Sequence, residues 1–308
     1  PILESAKNDP IIIFHNIYGI GPKKAIELVK KENITSIKEL RNNLHLLNDK
    51  QKIGLKYYEN LLEKIPRTEI DKYLKLFTEV FDTVKSDDDF FEIVGSYRRK
   101  ASSSGDIDII ISNKKDNGEI LDKFINKLKD KNILIEILSK GKIKSLTIGQ
   151  LTKTSTPRRI DFMYSPPDEF AFATLYFTGS KNFNVVQRKI ANDQNLTLNE
   201  HGLHNISNKK VKLEKIDHKF PTEKSIFDYL NMIYKEPHER IDGNSAILKL
   251  TAGGKNIKKN TSIKGHKRVK LKNKTLKSLK KMSNENQIIK KLNEFKKNEI
   301  SVANDFSE

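Results

Sequence analysis

Apolar positions along the chain fall into a few periodic blocks. Ile70, Tyr73, Leu74, Phe77 and Phe81 recur at helical spacing and predict an amphipathic helix with one face on a core. Ile120, Leu121, Phe124, Ile125 and Leu128 repeat the pattern and predict a second helix. The remaining runs are short: Phe91–Val94, Ile107–Ile111, Ile133–Leu138, Ser145–Leu151 and Arg159–Met163 read as strands. This alternation predicts an α+β fold whose mixed β-sheet carries helices on one face. Near the amino end, Gly19-Ile20-Gly21-Pro22 leads into a stretch with Ala25, Ile26, Leu28 and Val29 on one side. A proline just after a glycine turn is a favoured helix entry. A third block, Glu169–Asp242, contains the turn Thr178-Gly179-Ser180 and closes with a predicted helix over Lys224–Tyr234.

With 308 residues the chain has room for two or three modules around a sizeable core. Its net charge of +18 points to a polyanionic partner. The stretch from Thr251 to Glu308 supplies +11 of that, with 15 Lys and one Arg against five acidic residues. Poor in aromatics, it predicts a largely disordered basic tail with one transient helix near Asn286–Lys297. The absence of cysteine excludes disulfides and thiolate metal sites and suits a reducing compartment. The longest apolar runs, Ile11–Phe14 and Ile107–Ile111, are too short to span a bilayer, so no membrane partner is expected.

The chemistry concentrates in Gly95-Ser96-Tyr97-Arg98-Arg99, followed by Ser103-Ser104-Gly105-Asp106-Ile107-Asp108-Ile109-Ile110. Side chains alternate along a strand, so Asp106 and Asp108 share one face and Ile107 and Ile109 the other. Two carboxylates one strand step apart repel each other unless a divalent cation sits between them. Hard oxygen ligands favour magnesium, with positions left for phosphate oxygens. Asp161, in Arg158-Arg159-Ile160-Asp161, supplies a third carboxylate on a later strand. Three such aspartates suit two ions that clamp both ends of a phosphoryl transfer. An Asp-x-Asp alone reads best as a solvated edge strand; the glycine-serine turn and the third aspartate tip the balance.

These blocks resemble the nucleotidyltransferase superfamily and, within it, the DNA polymerase beta group of family X. The resemblance continues through Ile65-Pro66-Arg67, Leu138-Ser139-Lys140-Gly141, Tyr176-Phe177-Thr178-Gly179-Ser180, Phe183-Asn184, Arg188, Asn199-Glu200 and Ile226-Phe227-Asp228-Tyr229. It covers about Phe14 to Arg240 in order. It implies a helix-hairpin-helix DNA-binding subdomain (1–68), a nucleotidyltransferase palm (69–168), a small α+β nucleotide- and template-binding subdomain (169–242) and a basic tail (243–308).

The resemblance also implies roles. Asp106, Asp108 and Asp161 would hold two Mg2+ ions, with Mn2+ a possible substitute, and add a dNTP to a primer 3′-hydroxyl. Arg67, Ser96, Arg99 and the backbone at Gly105 would grip the triphosphate. Tyr176, Phe177 and Gly179 would wall the sugar, Asn184 would touch the incoming base, and Arg188 would reach the template. Arg159 would hold the primer phosphate, and backbone at Gly19 and Gly21 would hold a DNA phosphate. Carbonyls of His15, Ile17 and Ile20 would bind Na+ or K+. For Gly-x-Gly-Pro, Arg67 and Arg188 taken singly, an ordinary helix entry or a solvated arginine is the better reading.

Departures include Lys100, Ser102, Met163, Lys181 and His201, none of them a metal ligand. Only Pro1–Pro10 precede the hairpin, so the amino-terminal lyase domain usual in the group is not expected in this chain. The implied activity is template-directed gap filling on gapped or primer–template DNA, as in base excision repair, by a monomer inside the cell. Its place there would be the nucleus or, given the Ile, Lys and Asn richness, a cytoplasmic viral replication site. A template-independent terminal transferase fits less well, because Tyr176-Phe177 stands where those enzymes carry Gly-Trp and the span 133–150 is short. A non-catalytic DNA-binding scaffold conflicts with the intact aspartate set.

The tail charge has a measurable consequence. Deleting Gly253–Glu308 should leave turnover at saturating DNA unchanged. It should also make the slope of log affinity against log salt shallower by several units, about 0.9 for each DNA phosphate that the tail neutralises. Equal slopes for the full and shortened chains would exclude a tail that binds DNA.

Overall fold

The computed structural model describes residues 8–206 and 214–249; most of the predicted basic tail, with its transient helix, lies outside the described residues. The described chain divides into two compact units, 8–58 and 59–249.

The first unit is helical: α1 Pro10–His15, α2 Pro22–Lys30, α3 Ile37–Asn42 and α4 Asp49–Lys56. None exceeds nine residues, a length that is marginal in isolation. Local caps and a shared core sustain them. Asp9 accepts from the Ile11 amide at 2.9 Å. Asn48 and Gln51 form a reciprocal capping box with both bonds at 3.0 Å. Phe14, Ile17, Ile20, Ala25, Leu28, Leu40 and Leu55 form the core. The predicted helix entry is present, with Gly21 as the cap and Pro22 in the first turn of α2. Gly54 in α4 is sterically required, because a Cβ there would stand 2.1 Å from the Tyr18 carbonyl oxygen. Gln51 Nε2 also donates to the Gly19 carbonyl at 3.1 Å, fastening the same turn.

The second unit is built on a five-stranded sheet ordered β2-β4-β7-β6-β5: β2 Phe90–Ile93, β4 Ile107–Ser112, β5 Leu134–Lys140, β6 Lys144–Gly149 and β7 Arg158–Tyr164. β4 and β7 run parallel and the other pairs antiparallel, so the sheet is mixed as predicted. Ahead of it, β1 Ile65–Pro66 pairs with β3 Ser103–Ser104. Helices α5 Arg67–Phe81 and α7 Glu119–Asp130 bury their apolar stripes on one face of the sheet. The one-turn helix α6, Gly95–Arg98, lies between β2 and β3 in the chain. Phe124 sits at the centre of that core, with ring centroids 5.0 Å from Phe81, 5.7 Å from Phe162, 5.9 Å from Phe91 and 6.1 Å from Phe77.

Three details differ from the sequence reading. The sheet is not covered on one face only: α8, Phe170–Thr178, sets Ala173 against Val94 and Ile110 on the opposite face. Its other side joins a second core with Phe183, Leu196, Leu198, Leu203, Ile226 and Phe227. A helix flanked by two cores is apolar all round, as FAFATLYFT is. That second core is shared by α9 Lys181–Asn192, α10 Glu223–Tyr229 and the sheet β10-β9-β8 (β8 Leu196–Asn199, β9 Gly202–Asn205, β10 Glu214–Lys215). The closing helix α10 ends five residues before the predicted Tyr234. Asn231 takes a left-handed φ of 54°, and Met232 then pairs with Leu248. Finally, Asp106 lies in the turn just before β4 rather than in the strand itself.

The aromatic cluster sets a stability expectation. Phe124→Ala should lower unfolding free energy by about 3–5 kcal/mol in chemical denaturation, whereas Ile143→Ala, at an exposed position, should stay within about 0.5 kcal/mol. A loss under about 1 kcal/mol for Phe124→Ala would mean that the rings are not packed as described.

Candidate active site

Parallel pairing of β4 with β7 sets Asp108 directly opposite Asp161. The turn before β4 brings in Asp106, and one carboxylate oxygen from each of the three lies within 4.8 Å of the others. Asp161 is buried; Asp106 and Asp108 keep partial solvent contact at the floor of a cleft. Burial raises the pKa of Asp108 well above the usual carboxylate range, and the charges of Asp106 and Asp161 push it further. Burial also raises Asp106, where Arg159 pulls against the effect and Asp161 adds to it. Arg159 grips both oxygens of Asp161, Nε at 3.1 Å and Nη2 at 2.7 Å. Burial opposes the charge of that guanidinium, but the bonds and charge of Asp161 outweigh it and raise its pKa. Gly95 makes room: its φ is 66°, and a Cβ there would meet Asp108 Oδ2 at 2.9 Å.

The cleft above the aspartates has a volume of about 410 Å³. On one side lie Ser96, Arg99 and Gly105. Ser96 Oγ donates to Ser104 Oγ at 2.8 Å, and the β1–β3 pairing supports the adjoining loop. Arg99 Nη1 donates to the Thr178 carbonyl at 2.6 Å, beside the turn that joins α8 to α9. On the other side lie Tyr176, Phe177, Gly179, Asn184 and Arg188. Asn184 Nδ2 donates to the Tyr176 carbonyl at 2.6 Å, and Arg188 Nε to the Asn184 carbonyl at 3.4 Å. The Gly179–Ser180 peptide in this wall is cis.

Arg67 is not brought into the cleft with these groups. Its Nη1 donates to the Tyr97 carbonyl at 2.7 Å, and its guanidinium lies 4.1 Å from the Tyr97 ring centroid. Lys64, three residues earlier, lines the cleft instead, along with Lys181. Lys144 borders Asp108 and Asp161 from β6. Lys64 and Lys144 escaped the sequence reading because the chain holds many lysines and nothing local marks these. The ion triad of Glu223 with Arg98 and Arg240 was likewise missed; Arg98 Nη2 lies 2.7 Å from Glu223, and Arg240 is fully buried.

In the first unit, the turn between α1 and α2 carries two of the predicted carbonyls, those of Ile17 and Ile20. The Ile17 carbonyl accepts from the Ile20 amide at 3.0 Å, and the Ile20 carbonyl lies 3.3 Å from His15 Nδ1. A carbonyl has two lone pairs, so each keeps capacity for a cation. A Cβ at Gly21 would meet nothing within 4 Å, so the backbone there is open.

Three carboxylates that repel one another form a hard oxygen donor set that fits a metal ion. Lys64, Arg99, Lys181 and Arg188 line the same cleft, so it also suits a polyphosphate. Carboxylates under a cationic wall, on a mixed sheet backed by two helices, define a nucleotidyltransferase palm.

The comparisons with known proteins narrow the class. Residues 64–167 match the DNA polymerase beta palm, 173–241 the DNA polymerase beta thumb, and 12–62 the fingers domain of DNA polymerase lambda. DNA polymerase lambda of Arabidopsis thaliana is 31% identical over 248 residues, 75% of this chain and 46% of that protein. DNA polymerase lambda of Rattus norvegicus is 30% identical over 244 residues, 74% of this chain and 41% of that protein. DNA nucleotidylexotransferase of Ambystoma mexicanum is 23% identical over 270 residues, 74% of this chain and 51% of that protein. The chain thus spans about half the length of these curated relatives, or less. It belongs to family X of the DNA polymerases, in the polymerase beta-like group. No helix among the described residues is long and apolar enough to cross a membrane.

The raised carboxylates give a signed expectation. A carboxylate whose pKa rises on folding makes the folded state bind more protons, so stability falls as pH climbs from the ordinary carboxylate value through the raised one. In chelator at neutral pH, Asp108→Asn should therefore melt above wild type, with the two curves converging at acid pH. Divalent cation should raise the melting temperature of wild type more than that of the variant. A variant that melts lower in chelator at neutral pH would show that repulsion does not govern the site.

Proposed function

We propose that this chain is a template-directed DNA polymerase that adds a dNTP to a primer 3′-hydroxyl and fills gaps during DNA repair. The observation that carries the reading is the convergence of Asp106, Asp108 and Asp161 beneath a cleft lined by Lys64, Arg99 and Arg188. Asp106 and Asp108 would hold two magnesium ions, with Asp161 completing the one at the primer end; when bound, they neutralise phosphate charge and acidify the 3′-hydroxyl.

The protein's own groups do the rest. Asp161 accepts the proton of the 3′-hydroxyl as its oxygen attacks the α-phosphorus, and pyrophosphate leaves as the bond to the bridging oxygen breaks. Both Asp161 oxygens are bonded to Arg159 in the structure, so that pair loosens first. Arg159 then serves the primer phosphate. Ser96, Arg99 and the Gly105 backbone hold the triphosphate, with Lys64 in the place the sequence reading gave to Arg67. Tyr176, Phe177 and Gly179 close on the sugar. Asn184 meets the minor-groove edge of the incoming base, and Arg188 the template.

The first unit holds DNA through backbone N–H groups at Gly19 and Gly21, with Na+ or K+ at the carbonyls of His15, Ile17 and Ile20. The division into DNA-binding, palm and nucleotide-binding subdomains at residues 68, 168 and 242 follows these tasks. The protein works as a monomer inside the cell, in the nucleus or at a cytoplasmic viral replication site. Template direction is favoured because β5 and β6 are joined by the short turn 141–143, which leaves no loop there to block a template.

Primer extension on templated and untemplated primers tests the reading. Asp161→Ala should cut templated extension at least about a hundredfold, a loss of several kcal/mol of transition-state stabilisation, while gapped-DNA binding stays within a few fold. Extension above a few per cent of wild type would remove the two-ion assignment, and efficient untemplated addition by wild type would favour a terminal transferase.

A further inference from the structure

Lys144 opens β6, and the pairing of β6 with β7 sets it directly opposite Met163. Leu146 faces Asp161 in the same register, so Lys144 is the diagonal neighbour of Asp161 on the cleft face of the sheet. Diagonal pairs stand about 7–8 Å apart at the backbone, within reach of a long side chain. Lys144, Asp108, Asp161 and Phe177 accordingly line one narrow recess. The ammonium lies 5.8 Å from the centroid of the Phe177 ring. It has no ion pair or side-chain hydrogen bond among the described residues.

Arg159 and Lys144 act on the same carboxylates in different ways. The guanidinium of Arg159 is locked to Asp161 by two hydrogen bonds. Lys144 acts at longer range, as a point charge on a flexible stem. Burial raises the pKa of Asp106 and of Asp108, and the charge of Lys144 pulls both back. Met163, its direct neighbour, is uncharged, and Asp161 is the sole carboxylate on β7. A cation held this loosely is displaced by another cation without any change of fold.

We propose that Lys144 is a tethered counterion of the three carboxylates, which competes with divalent cation for them and so weakens ion binding before substrate arrives. The inference rests on the metal-holding role proposed for Asp106, Asp108 and Asp161. An ion entering between the carboxylates repels the nearby ammonium, and part of its binding free energy goes into that repulsion. Phosphate oxygens of DNA and nucleotide add the negative charge that offsets it. Lys144 is exposed, so water and salt screen the effect without abolishing it.

The test uses the full chain without DNA, with Mn2+ as the probe and the free ion followed by electron paramagnetic resonance. At low salt, Lys144→Met should bind Mn2+ about three- to tenfold more tightly than wild type, the scale of one screened charge acting on a divalent ion. The gain should shrink as salt rises. Lys144→Arg should match wild type. So should Lys153→Met, which removes the same charge from the exposed loop between β6 and β7. In chelator at neutral pH, Lys144→Met should melt below wild type, and the difference should shrink in the Asp108→Asn background. A purely structural role for Lys144 would leave Mn2+ affinity unchanged and keep the melting difference in full in both backgrounds.

If Lys144→Met fails to fold, Lys144→Gln carries the same comparison. Equal or weaker Mn2+ binding by the Lys144 variant overturns the proposal, and equal tightening by Lys153→Met overturns the assignment to Lys144. A wild type whose Mn2+ binding survives Asp108→Asn undiminished overturns the metal-holding role itself, and the inference with it.

Discussion

Three carboxylates brought within 4.8 Å of one another in a partly desolvated cleft repel strongly, and much of the second unit is organised around that repulsion. Register forces the approach, because the parallel pairing of β4 and β7 leaves Asp108 and Asp161 no way to separate without breaking the sheet. The isoleucines and Phe162 that alternate with them are fully committed to the core on the other face, so neither strand can slip by one residue. Gly95 permits the crowding sterically, and Arg159 and Lys144 offset it electrostatically. Hydrophobic burial behind the sheet thus stabilises an arrangement that is unfavourable in front of it. Strain of this kind is what a cation-binding site requires.

The same logic extends to the opposite wall. Helix α8 is wedged between the sheet and the second core, and its end carries Tyr176 and Phe177 to the cleft. Its position is fastened by Arg98, which reaches Thr178 Oγ1 at 3.0 Å and Glu223 Oε2 at 2.7 Å, while Arg240 Nη1 shares Glu223 Oε1 with Arg98 Nη1. Burial disfavours the Arg98 charge, but hydrogen bonding and attraction to Glu223 and Glu92 outweigh it and raise its pKa. A buried pair of this kind adds little net stability over an apolar replacement, yet removing one partner leaves a stranded charge. Its value here is geometric. Arg98 adjoins Arg99 and Ser96, so the turn on one side of the cleft and the wall on the other are set by one ionic network.

Much of this was legible in the sequence, for identifiable reasons. Helices α5 and α7 announce themselves because each has one wet and one dry side, and periodicity measures that difference; strands β4 and β7, buried almost throughout, are legible as short apolar runs. The aspartates stood out because alternation places them on the wrong side for a core. Periodicity fails where burial has two sides: α8 shows no stripe because it has no solvent face. It also fails at strand ends, which is why Asp106 was assigned to a strand it only adjoins. Arg67 and Lys64 show another limit. Motif position gave Arg67 to the cleft, but its guanidinium is held on Tyr97, and Lys64 lines the cleft instead. The burial of Arg240 has no local signal, since its carboxylate partner Glu223 lies 17 residues away in the chain and the Arg98 that shares this carboxylate lies 125 residues from it.

The pairing of Arg159 with Asp161 adds a further step. Two bonds occupy both oxygens of the carboxylate that the proposed mechanism uses as its proton acceptor. A carboxylate clamped at both oxygens by a guanidinium has to release it before it can approach a hydroxyl proton. The availability of Asp161 therefore depends on where Arg159 is engaged. Under the proposed function, a primer phosphate would compete for Arg159 with the same charge-assisted, bidentate geometry that the carboxylate offers. Arrival of the primer end would draw the arginine away and free the carboxylate in one exchange. Under the proposed function, the substrate that supplies the proton thus also unmasks the group that receives it, and a cleft holding nucleotide without a primer keeps its base covered.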